Sequence, residues 1–215
     1  MKRKTQLILG AALLALFILY TASLTFVDRQ PIGPMGSQVA YAGINKGAHE
    51  LFGVHRMLYH ITDWAGVVAI GIAAGFAVLG LVQWVKRKSI RKVDGSLLLL
   101  GVFYILVFGA YAFFEYHVIN YRPVLIDGVL EASYPSSTTV LVMCVVPTAM
   151  VQFRRLIGNH RIRIAVNGFC GLFAVLVVVG RLLSGVHWLT DVLGGLLFSA
   201  AMVLLYCAAN RFLPK

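Results

Sequence analysis

Six long apolar runs constrain the fold of this chain more than any other feature of its sequence. They cover about 5–27, 65–85, 97–114, 138–153, 164–179 and 189–209. A helix of about 20 apolar residues spans the hydrocarbon core of a bilayer. In addition, 60% of the 215 residues are hydrophobic, whereas soluble domains contain roughly 45–50%. We therefore predict an all-α, polytopic membrane protein, a six-transmembrane-helix bundle that occupies residues 1–215 as a single membrane domain.

The first apolar run begins after a short basic segment, Lys2-Arg3-Lys4. A basic start followed by an apolar centre also occurs in secretory signal peptides. The run at 5–27 is long for a signal peptide, and no convincing small-x-small cleavage site follows it. We therefore expect an uncleaved first transmembrane helix.

The longest polar stretch, at 28–63, follows the first run and opens with a loop that is rich in Pro and Gly. Its second part, at 45–61, has apolar residues at roughly helical spacing. We predict a short interfacial helix in this first outer loop, lying at the membrane surface. Its basic side chains are interpreted as a solvated face rather than as catalytic groups; they are His49, His55, Arg56 and His60.

Basic residues predict the orientation of the bundle, because Lys and Arg accumulate in cytoplasmic loops. With both termini in the cytoplasm, 14 of the 19 Lys and Arg residues fall on the cytoplasmic side. These are Lys2, Arg3, Lys4, Lys86, Arg87, Lys88, Arg91, Lys92, Arg154, Arg155, Arg161, Arg163, Arg211 and Lys215. The net charge of +11 is therefore interpreted as a topology signal and an attraction to anionic membrane lipids, not as a sign of nucleic-acid binding.

One stretch, at 179–195, carries ionisable groups beside the predicted sixth span: Arg181, His187 and Asp191. Ionisable groups close to a bilayer are costly and mark functional sites. His187 and Asp191 are one helical turn apart, so a helix places them on one face. There Asp191 can hold one ring nitrogen of His187 and leave the other free. The structural alternative is that Asp191 caps the helix while Arg181 extends to the interface.

The predicted topology brings further polar residues to the same outer level. Ser136, Ser137 and Thr138 lie where the fourth span begins, and the free N–H groups of a helix N-terminus bind phosphate. Arg122 and Arg181 can each donate two parallel hydrogen bonds to a phosphate. We therefore predict that these five residues form a phosphate site at the outer leaflet.

A histidine in a phosphate site can act as a nucleophile, and His187 would then form a phosphohistidine. Arginines and backbone amides would stabilise the charge on the transferring phosphoryl group. This chemistry requires no cofactor and no metal, and the sequence lacks metal-ligand spacings such as Cys-x-x-Cys or His-Glu-x-x-His. The three cysteines lie in apolar runs, where we expect core residues rather than disulfides.

These patterns resemble the type 2 phosphatidic acid phosphatase (lipid phosphate phosphatase) superfamily. The spacing Arg181-x5-His187-x3-Asp191 is similar to the third signature of that family, Ser-Arg-x5-His-x3-Asp. Pro135-Ser136 resembles the start of the second signature, Pro-Ser-Gly-His. Arg122-Pro123 resembles the end of the first signature, Lys-x6-Arg-Pro. The order of the three signatures and the six-span plan are also similar.

The resemblance implies a six-helix bundle that removes phosphate from lipids such as phosphatidic acid, phosphatidylglycerophosphate or polyprenyl (for example undecaprenyl) diphosphate. It implies that Arg122, Ser136 and Arg181 hold the phosphate. It also implies that His187 attacks the phosphorus and that Asp191 orients His187. The implied partners are the lipid phosphate substrate and the surrounding membrane lipids.

The chain departs from the family pattern at four positions. Glu115 stands where the first signature has lysine, and Thr138 stands where the second has the histidine that protonates the leaving oxygen. Ser137 replaces a glycine, and Gly180 replaces the serine of the third signature. The candidates for a substitute acid are His117 and Glu115, together with Asp127, Glu131 and the histidines of the predicted interfacial helix.

The missing histidine leaves three interpretations open. A diphosphate needs no acid, because its leaving group is a phosphate monoester and far less basic than a lipid alkoxide. The chain is then a metal-independent lipid phosphatase or diphosphatase, with a preference for polyprenyl diphosphate. Alternatively, it is a weak or silent relative that binds lipid phosphates without turnover, or it transfers the phosphoryl group to an acceptor other than water. We expect the first, in a bacterial plasma membrane with the site on the extracytoplasmic side.

Overall fold

The computed structural model describes residues 2–213, so Lys215 of the predicted cytoplasmic set lies outside the described residues. Seven α-helices form most of the chain: α1 (Arg3–Ser23), α2 (Ala42–Phe52), α3 (Arg56–Arg87), α4 (Gly95–Tyr116), α5 (Ser137–Leu156), α6 (His160–Leu183) and α7 (Leu189–Asn210). Within residues 2–213, β-pairing is limited to isolated bridges. The predicted all-α class is therefore confirmed.

Six of these helices, α1 and α3 to α7, are long and apolar enough to cross a membrane. The predicted polytopic bundle of six spans is therefore confirmed. Helices α4 to α7 extend beyond the predicted spans by at most four residues at either end, because polar residues continue the helices past their apolar runs. Helix α1 instead ends at Ser23, four residues before the predicted end.

The predicted interfacial helix at 45–61 is wrong in its extent. The structure ends α2 before Gly53 and starts α3 at Arg56, so the last part of the predicted segment belongs to a spanning helix of 32 residues. Gly53 interrupts the helix because its φ of 66° is left-handed, a conformation that favours glycine. The interruption contacts the turn between α6 and α7, where the His55 N–H donates to the Ser184 carbonyl oxygen at 2.9 Å.

Helix α5 occupies the centre of the bundle and packs against α3, α4, α6 and α7. Helix α1 packs along α7, and α2 also contacts α7. The N-termini of α5 and α7 are joined by a hydrogen bond of 3.0 Å from the Ser136 N–H to the Asp191 carbonyl oxygen. Residues at the starts of these two helices are therefore brought together at one end of the bundle.

An aromatic cluster (Phe17, Phe114, Tyr134 and Phe198) packs beneath this end of the bundle. The ring centroid of Phe17 lies 5.2 Å from that of Phe198 and 5.9 Å from that of Phe114. Phe114 and Tyr134 meet edge to face at 5.7 Å, an arrangement that aromatic pairs prefer. The cluster ties α1, α4 and α7 to the segment that precedes α5.

The polar connection between α4 and α5 contains a β-hairpin at 120–133, which was not predicted. Bridges pair Tyr121 with Ala132 and Ile126 with Val129. Asp127 and Gly128 form the tip, with φ of 47° and 81°. Positive φ at both central residues is typical of a type I′ turn, for which Asp-Gly is a favoured sequence.

Candidate active site

A cavity of about 260 Å³ lies at the end of the bundle where α5 and α7 begin. Its walls include Arg122, Ser137 and His187 of the predicted site. Glu115 from the end of α4 and Glu131 from the 120–133 hairpin also line it, together with three of the four rings of the aromatic cluster. The structure therefore brings basic, acidic and apolar groups to one space, which we call the His187 cavity.

His187 lies in the turn between α6 and α7 and is 4% exposed. Its Nδ1 lies 3.1 Å from the Ser133 carbonyl oxygen, which can only accept, so Nδ1 carries the hydrogen. Its Nε2 is buried and has no hydrogen-bond partner among the described residues. In the neutral ring, Nε2 therefore holds the lone pair that a nucleophile needs.

The surroundings of His187 favour this neutral form. Burial lowers the pKa of His187 well below its ordinary value, and the nearby guanidinium groups of Arg181 and Arg122 lower it further. The hydrogen bond to Ser133 acts in the opposite direction but is the smallest of these effects. At neutral pH the ring is therefore uncharged and available for nucleophilic attack.

Asp191 is fully buried in the first turn of α7. Its Oδ2 accepts a hydrogen bond of 2.9 Å from the Trp188 N–H, and its Oδ1 accepts one of 3.3 Å from Asn120 Nδ2. The distance from Asp191 Oδ2 to His187 Nδ1 is 3.7 Å, longer than a hydrogen bond. The carboxylate thus caps α7, and the expected contact in which Asp191 holds a ring nitrogen of His187 is made by the Ser133 carbonyl oxygen instead.

Asn120 and Ser133 close the base of the 120–133 hairpin, and sequence reasoning missed both. The Ser133 N–H and Oγ–H donate to the Asn120 carbonyl oxygen at 2.9 and 3.1 Å. The Asn120 side chain then reaches Asp191, while the Ser133 carbonyl contacts His187. Asp191 is therefore connected to His187 through the hairpin. The Asp-Gly pair at the tip is the sequence signal that could have revealed the hairpin.

Arg122 is largely buried and lies on the first arm of the hairpin. Its Nε forms an ion pair with Glu131 Oε2 at 3.0 Å. Its Nη1 is buried without a hydrogen-bond partner in the part of the chain that the structure describes. A buried guanidinium N–H that lacks a partner is costly, so this group is suited to an anionic ligand.

Arg181 lies near the end of α6 and is 1% exposed. Its Nη1 donates to Thr62 Oγ1 at 3.3 Å, and its Nη2 lies 3.8 Å from Asp63 Oδ1. Its Nε is buried and has no hydrogen-bond partner within residues 2–213. The predicted alternative, in which Arg181 extends to the interface, is therefore wrong, because α3 packs over the side chain.

Tyr59 in the first turns of α3 lies beside both arginines and was also missed. The Arg181 guanidinium carbon is 5.0 Å from the centre of the Tyr59 ring, and that of Arg122 is 5.9 Å away. Both distances permit cation–π attraction. The ring therefore helps to hold two like charges near one cavity.

The close contact between α3 and α6 gives a physical reason for Gly180. A Cβ atom at Gly180 would lie 2.8 Å from Thr62 Cγ2, which is too close without movement of the threonine. The absence of a side chain lets α6 approach α3 until Arg181 reaches Thr62. The departure from the serine of the family signature therefore fits the packing of this bundle.

The three residues at the start of α5 have different surroundings. Ser136 is fully buried, and its Oγ accepts a hydrogen bond of 3.0 Å from Thr139 Oγ1. Ser137 lines the His187 cavity, whereas Thr138 lines a neighbouring cavity and faces Gly66 of α3. The structure therefore separates Thr138 from the lining of the His187 cavity.

The residues predicted as substitute acids also lie in different surroundings. Glu115 lines the His187 cavity. His117 is exposed, its ring stacks on Phe113 at 4.4 Å, and its Nδ1 donates to the Phe113 carbonyl oxygen at 3.1 Å. Asp127 lines a shallow cavity with Arg56 and other residues at the start of α3. Among these three residues, Glu115 is the one that lines the same cavity as His187.

The neighbouring cavity is apolar and has a volume of about 270 Å³. It lies between α3, α4 and α5, and shares Tyr111, Ser137 and Val140 with the His187 cavity. Most of its other walls are apolar side chains: Val67, Ile70, Val107, Phe108 and Leu141. The two cavities are therefore adjacent, one polar and one apolar.

Within residues 2–213, no group of three or more His, Cys, Asp or Glu side chains is placed to hold a metal ion.

The chain is similar to a known protein family and to a solved structure. No curated protein sequence matches the chain. A solved structure, described as the first transmembrane PAP2 type phosphatidylglycerolphosphate phosphatase from Bacillus subtilis, is similar with a TM-score of 0.58 and 20% identity. The similarity covers 94% of this chain and 95% of that one. A family model described as the PAP2 superfamily matches residues 103–213, which is more than half of the chain and includes Arg122, His187 and Asp191. The chain therefore belongs to the PAP2 superfamily.

Proposed function

We propose that this protein removes phosphate from a membrane lipid phosphate or diphosphate through a phosphohistidine at His187. One observation carries the proposal. Four buried nitrogen atoms near the His187 cavity have no hydrogen-bond partner among the described residues: His187 Nε2, Arg122 Nη1, Arg181 Nε and Arg122 Nε, the last of which is ion-paired with Glu131. Two cationic donors beside one neutral nucleophile fit a tetrahedral phosphoryl group.

The first chemical step is attack on phosphorus by His187. Its Nε2 forms a bond to the phosphorus atom as the bond to the leaving oxygen breaks. Arg122 and Arg181 stabilise the charge on the remaining phosphoryl oxygens, since a phosphoryl transfer depends mainly on positioning and electrostatics. The N–H groups at the start of α5, next to Ser137, add further donors.

The preferred substrate is a polyprenyl diphosphate. In a diphosphate the leaving group is the lipid monophosphate, which departs without protonation by an acid. Thr138 cannot supply such an acid, and it lines the apolar cavity rather than the His187 cavity. The apolar cavity beside Ser137 and Val140 is suited to the lipid chain next to the phosphate groups.

The proposed location follows from charge and chemistry. With the predicted orientation, the His187 cavity opens at the extracytoplasmic leaflet and both termini are cytoplasmic. A bacterial plasma membrane provides lipid phosphates and polyprenyl diphosphates in that leaflet. The mechanism uses neither a metal nor a cofactor.

The proposal is tested by phosphate release from four substrates, each with and without EDTA. The substrates are polyprenyl diphosphate, polyprenyl monophosphate, phosphatidic acid and phosphatidylglycerophosphate. Wild type should release phosphate fastest from the diphosphate, and His187→Ala should release none. Release that EDTA abolishes would contradict the metal-independent step. Equal rates for monoesters and diphosphate would contradict the leaving-group argument.

Thr138→His provides a second test, because it restores the family residue at this position. Because position 138 faces Gly66 of α3 and lines the apolar cavity, this variant should leave the preference for the diphosphate over the monoesters unchanged. Faster hydrolysis of the monoesters would show that a histidine at position 138 reaches the leaving oxygen and would contradict this separation. The alternatives have different outcomes. A silent binder would bind lipid phosphate but release no phosphate with either wild type or His187→Ala. A phosphotransferase would release phosphate slowly and label an added alcohol acceptor instead.

A further inference from the structure

Glu131 is one of two acidic residues of the His187 cavity, and the chemistry proposed above uses neither of them. Glu131 lies on the second arm of the 120–133 hairpin and lines the cavity together with His187. The Arg122 N–H donates to the Glu131 carbonyl oxygen at 3.0 Å, so these two residues face each other across the hairpin. Glu131 is therefore held by backbone pairing as well as by its side chain.

The Glu131 side chain is fixed beside the nitrogen atoms that would hold phosphate. Its Oε2 pairs with Arg122 Nε at 3.0 Å, while Arg122 Nη1 remains without a partner among the described residues. The Glu131 side chain is 38% exposed, so water can reach it. A phosphoryl group held by Arg122 would have this carboxylate next to it.

A second carboxylate, Glu115, lines the same cavity but is held differently. It belongs to the last turn of α4, is exposed, and interacts with Tyr111. Among the ion pairs of the described residues, Glu131 is the acidic partner of Arg122 and Asp63 that of Arg181. Glu131 is therefore the carboxylate of the cavity whose position is tied to a phosphate-binding arginine.

We propose that Glu131 is the general base of the second step, in which water hydrolyses the phosphohistidine. This role rests on the proposed function. The water oxygen forms a bond to phosphorus, and the P–Nε2 bond breaks with its electron pair returning to His187. The water proton passes to the Glu131 carboxylate and is later released to solvent as inorganic phosphate departs.

This role explains how the site can work with threonine at position 138. A diphosphate supplies a leaving group that needs no acid in the first step, but water is a poor nucleophile in the second step. A positioned base contributes roughly 10²–10⁴-fold to such a proton transfer. A carboxylate paired with Arg122 is an acceptor, which suits it to taking a proton rather than donating one.

The test is Glu131→Gln, which keeps the shape of the side chain and removes its basicity. With ³²P-labelled polyprenyl diphosphate, the variant should release one equivalent of lipid monophosphate per protein in a burst. Acid-labile, base-stable phosphohistidine should accumulate, and steady-state phosphate release should fall at least about 100-fold. Glu131→Asp, which has a shorter reach, should fall between wild type and Glu131→Gln.

The matched control is Glu50→Gln, the same change on an exposed residue of α2 that pairs with Lys46 at 3.9 Å. It should show wild-type burst and turnover. Because the substitution also removes the partner of Arg122, the rate of phosphohistidine formation distinguishes the two effects. Loss of arginine positioning would slow phosphohistidine formation as much as turnover and would overturn the proposed role of Glu131.

Two other results would also overturn the role of Glu131. One is steady-state release by Glu131→Gln within about threefold of wild type. The other is accumulation of phosphohistidine in Glu115→Gln instead of Glu131→Gln. Failure of the proposed function has a different signature, since wild type itself would then form no phosphohistidine and release no phosphate.

Discussion

His187 donates from Nδ1 to the carbonyl oxygen of Ser133 at 3.1 Å, closer than the Asp191 carboxylate, which lies 3.7 Å away. The backbone of the 120–133 hairpin, rather than the acidic residue one turn along the helix, therefore determines which ring nitrogen carries the hydrogen. Asp191 contributes its negative charge and the cap of α7. Because the two residues have different roles, substitutions of His187 and of Asp191 are expected to have different effects.

Asp191→Asn should retain a measurable fraction of activity, whereas His187→Ala should retain none. The asparagine can still accept from the Trp188 N–H, and the Ser133 carbonyl keeps the tautomer of His187. What is lost is the negative charge that stabilises the ring when it becomes positive, for which we expect a fall in kcat of roughly 10–100-fold. Steady-state phosphate release at constant protein concentration measures this. Complete inactivity of a folded Asp191→Asn would show that the carboxylate itself orients His187.

Asn120→Ala should lower both stability and kcat. The substitution removes the Asn120 side-chain bonds to Asp191 and to the Ala40 N–H. A buried group that loses its partner costs about 1–3 kcal/mol. Thermal unfolding in detergent and phosphate release measure the two effects.

Asn159→Ala is the control for Asn120→Ala. Asn159 caps α6 by accepting from the Arg161 and Ile162 N–H groups at the opposite end of the bundle. Its loss should cost about 1 kcal/mol of stability and leave kcat unchanged. An equal fall in kcat in both variants would show that Asn120 acts through general stability rather than through the position of Asp191 and His187.

The low pKa of His187 predicts a pH dependence of stability. Above about pH 6.5 the folded and unfolded chains both hold a neutral ring, so its contribution does not vary. Below that pH the unfolded chain binds a proton that the folded chain does not, so the free energy of unfolding falls as pH falls. The slope from this residue is up to about 1.4 kcal/mol per pH unit.

His187→Gln should remove this slope from the pH dependence of unfolding between about pH 6.5 and 5. The control is His117→Gln, the same change on an exposed histidine, compared with wild type at each pH. Thermal unfolding at several pH values in one detergent measures both. Identical pH dependences for wild type and His187→Gln would contradict a buried, neutral His187.

Gly185→Ala should be far more damaging than Gly128→Ala, although both glycines have positive φ, 67° and 81°. A Cβ at Gly185 would lie 1.9 Å from the Gly53 carbonyl oxygen, whereas a Cβ at Gly128 meets open space. Gly128→Ala therefore adds only backbone strain, about 1–2 kcal/mol. Gly185→Ala must also separate the α6–α7 turn from the segment before α3, which displaces His187. Activity and unfolding temperature of the two variants measure this difference, and equal effects would contradict it.

The spanning helices could be predicted from the sequence because hydropathy is a local property. Arg122 and His187 could also be placed at one cavity, since topology and spacing brought them to the same end of the bundle. The interfacial helix was predicted too long because apolar spacing continues across Gly53, and only the contact with the α6–α7 turn explains the interruption there. The side chain of Trp188 is buried, and its Nε1 donates to the Tyr121 carbonyl oxygen at 2.7 Å, a contact that depends on the unpredicted hairpin.

The missed residues of the site share a physical reason. Ser133 acts through its backbone carbonyl, which any residue possesses, so its side chain gives no signal. Tyr59 and Thr62 contact Arg181 from α3, more than 100 positions away in the sequence. Such contacts depend on helix packing, which periodicity alone does not determine. Asn120 is the exception, because the Asp-Gly pair could have predicted the hairpin that places it.

The two guanidinium groups near Tyr59 have a consequence for inhibition by the product of the proposed reaction. Two cations near one aromatic ring repel each other, and inorganic phosphate is the anion best matched to both. Under the proposed function, the released phosphate would compete with substrate for the same donors. For an enzyme with the proposed function, we expect turnover to fall as the phosphate concentration rises on the side of the membrane that the His187 cavity faces.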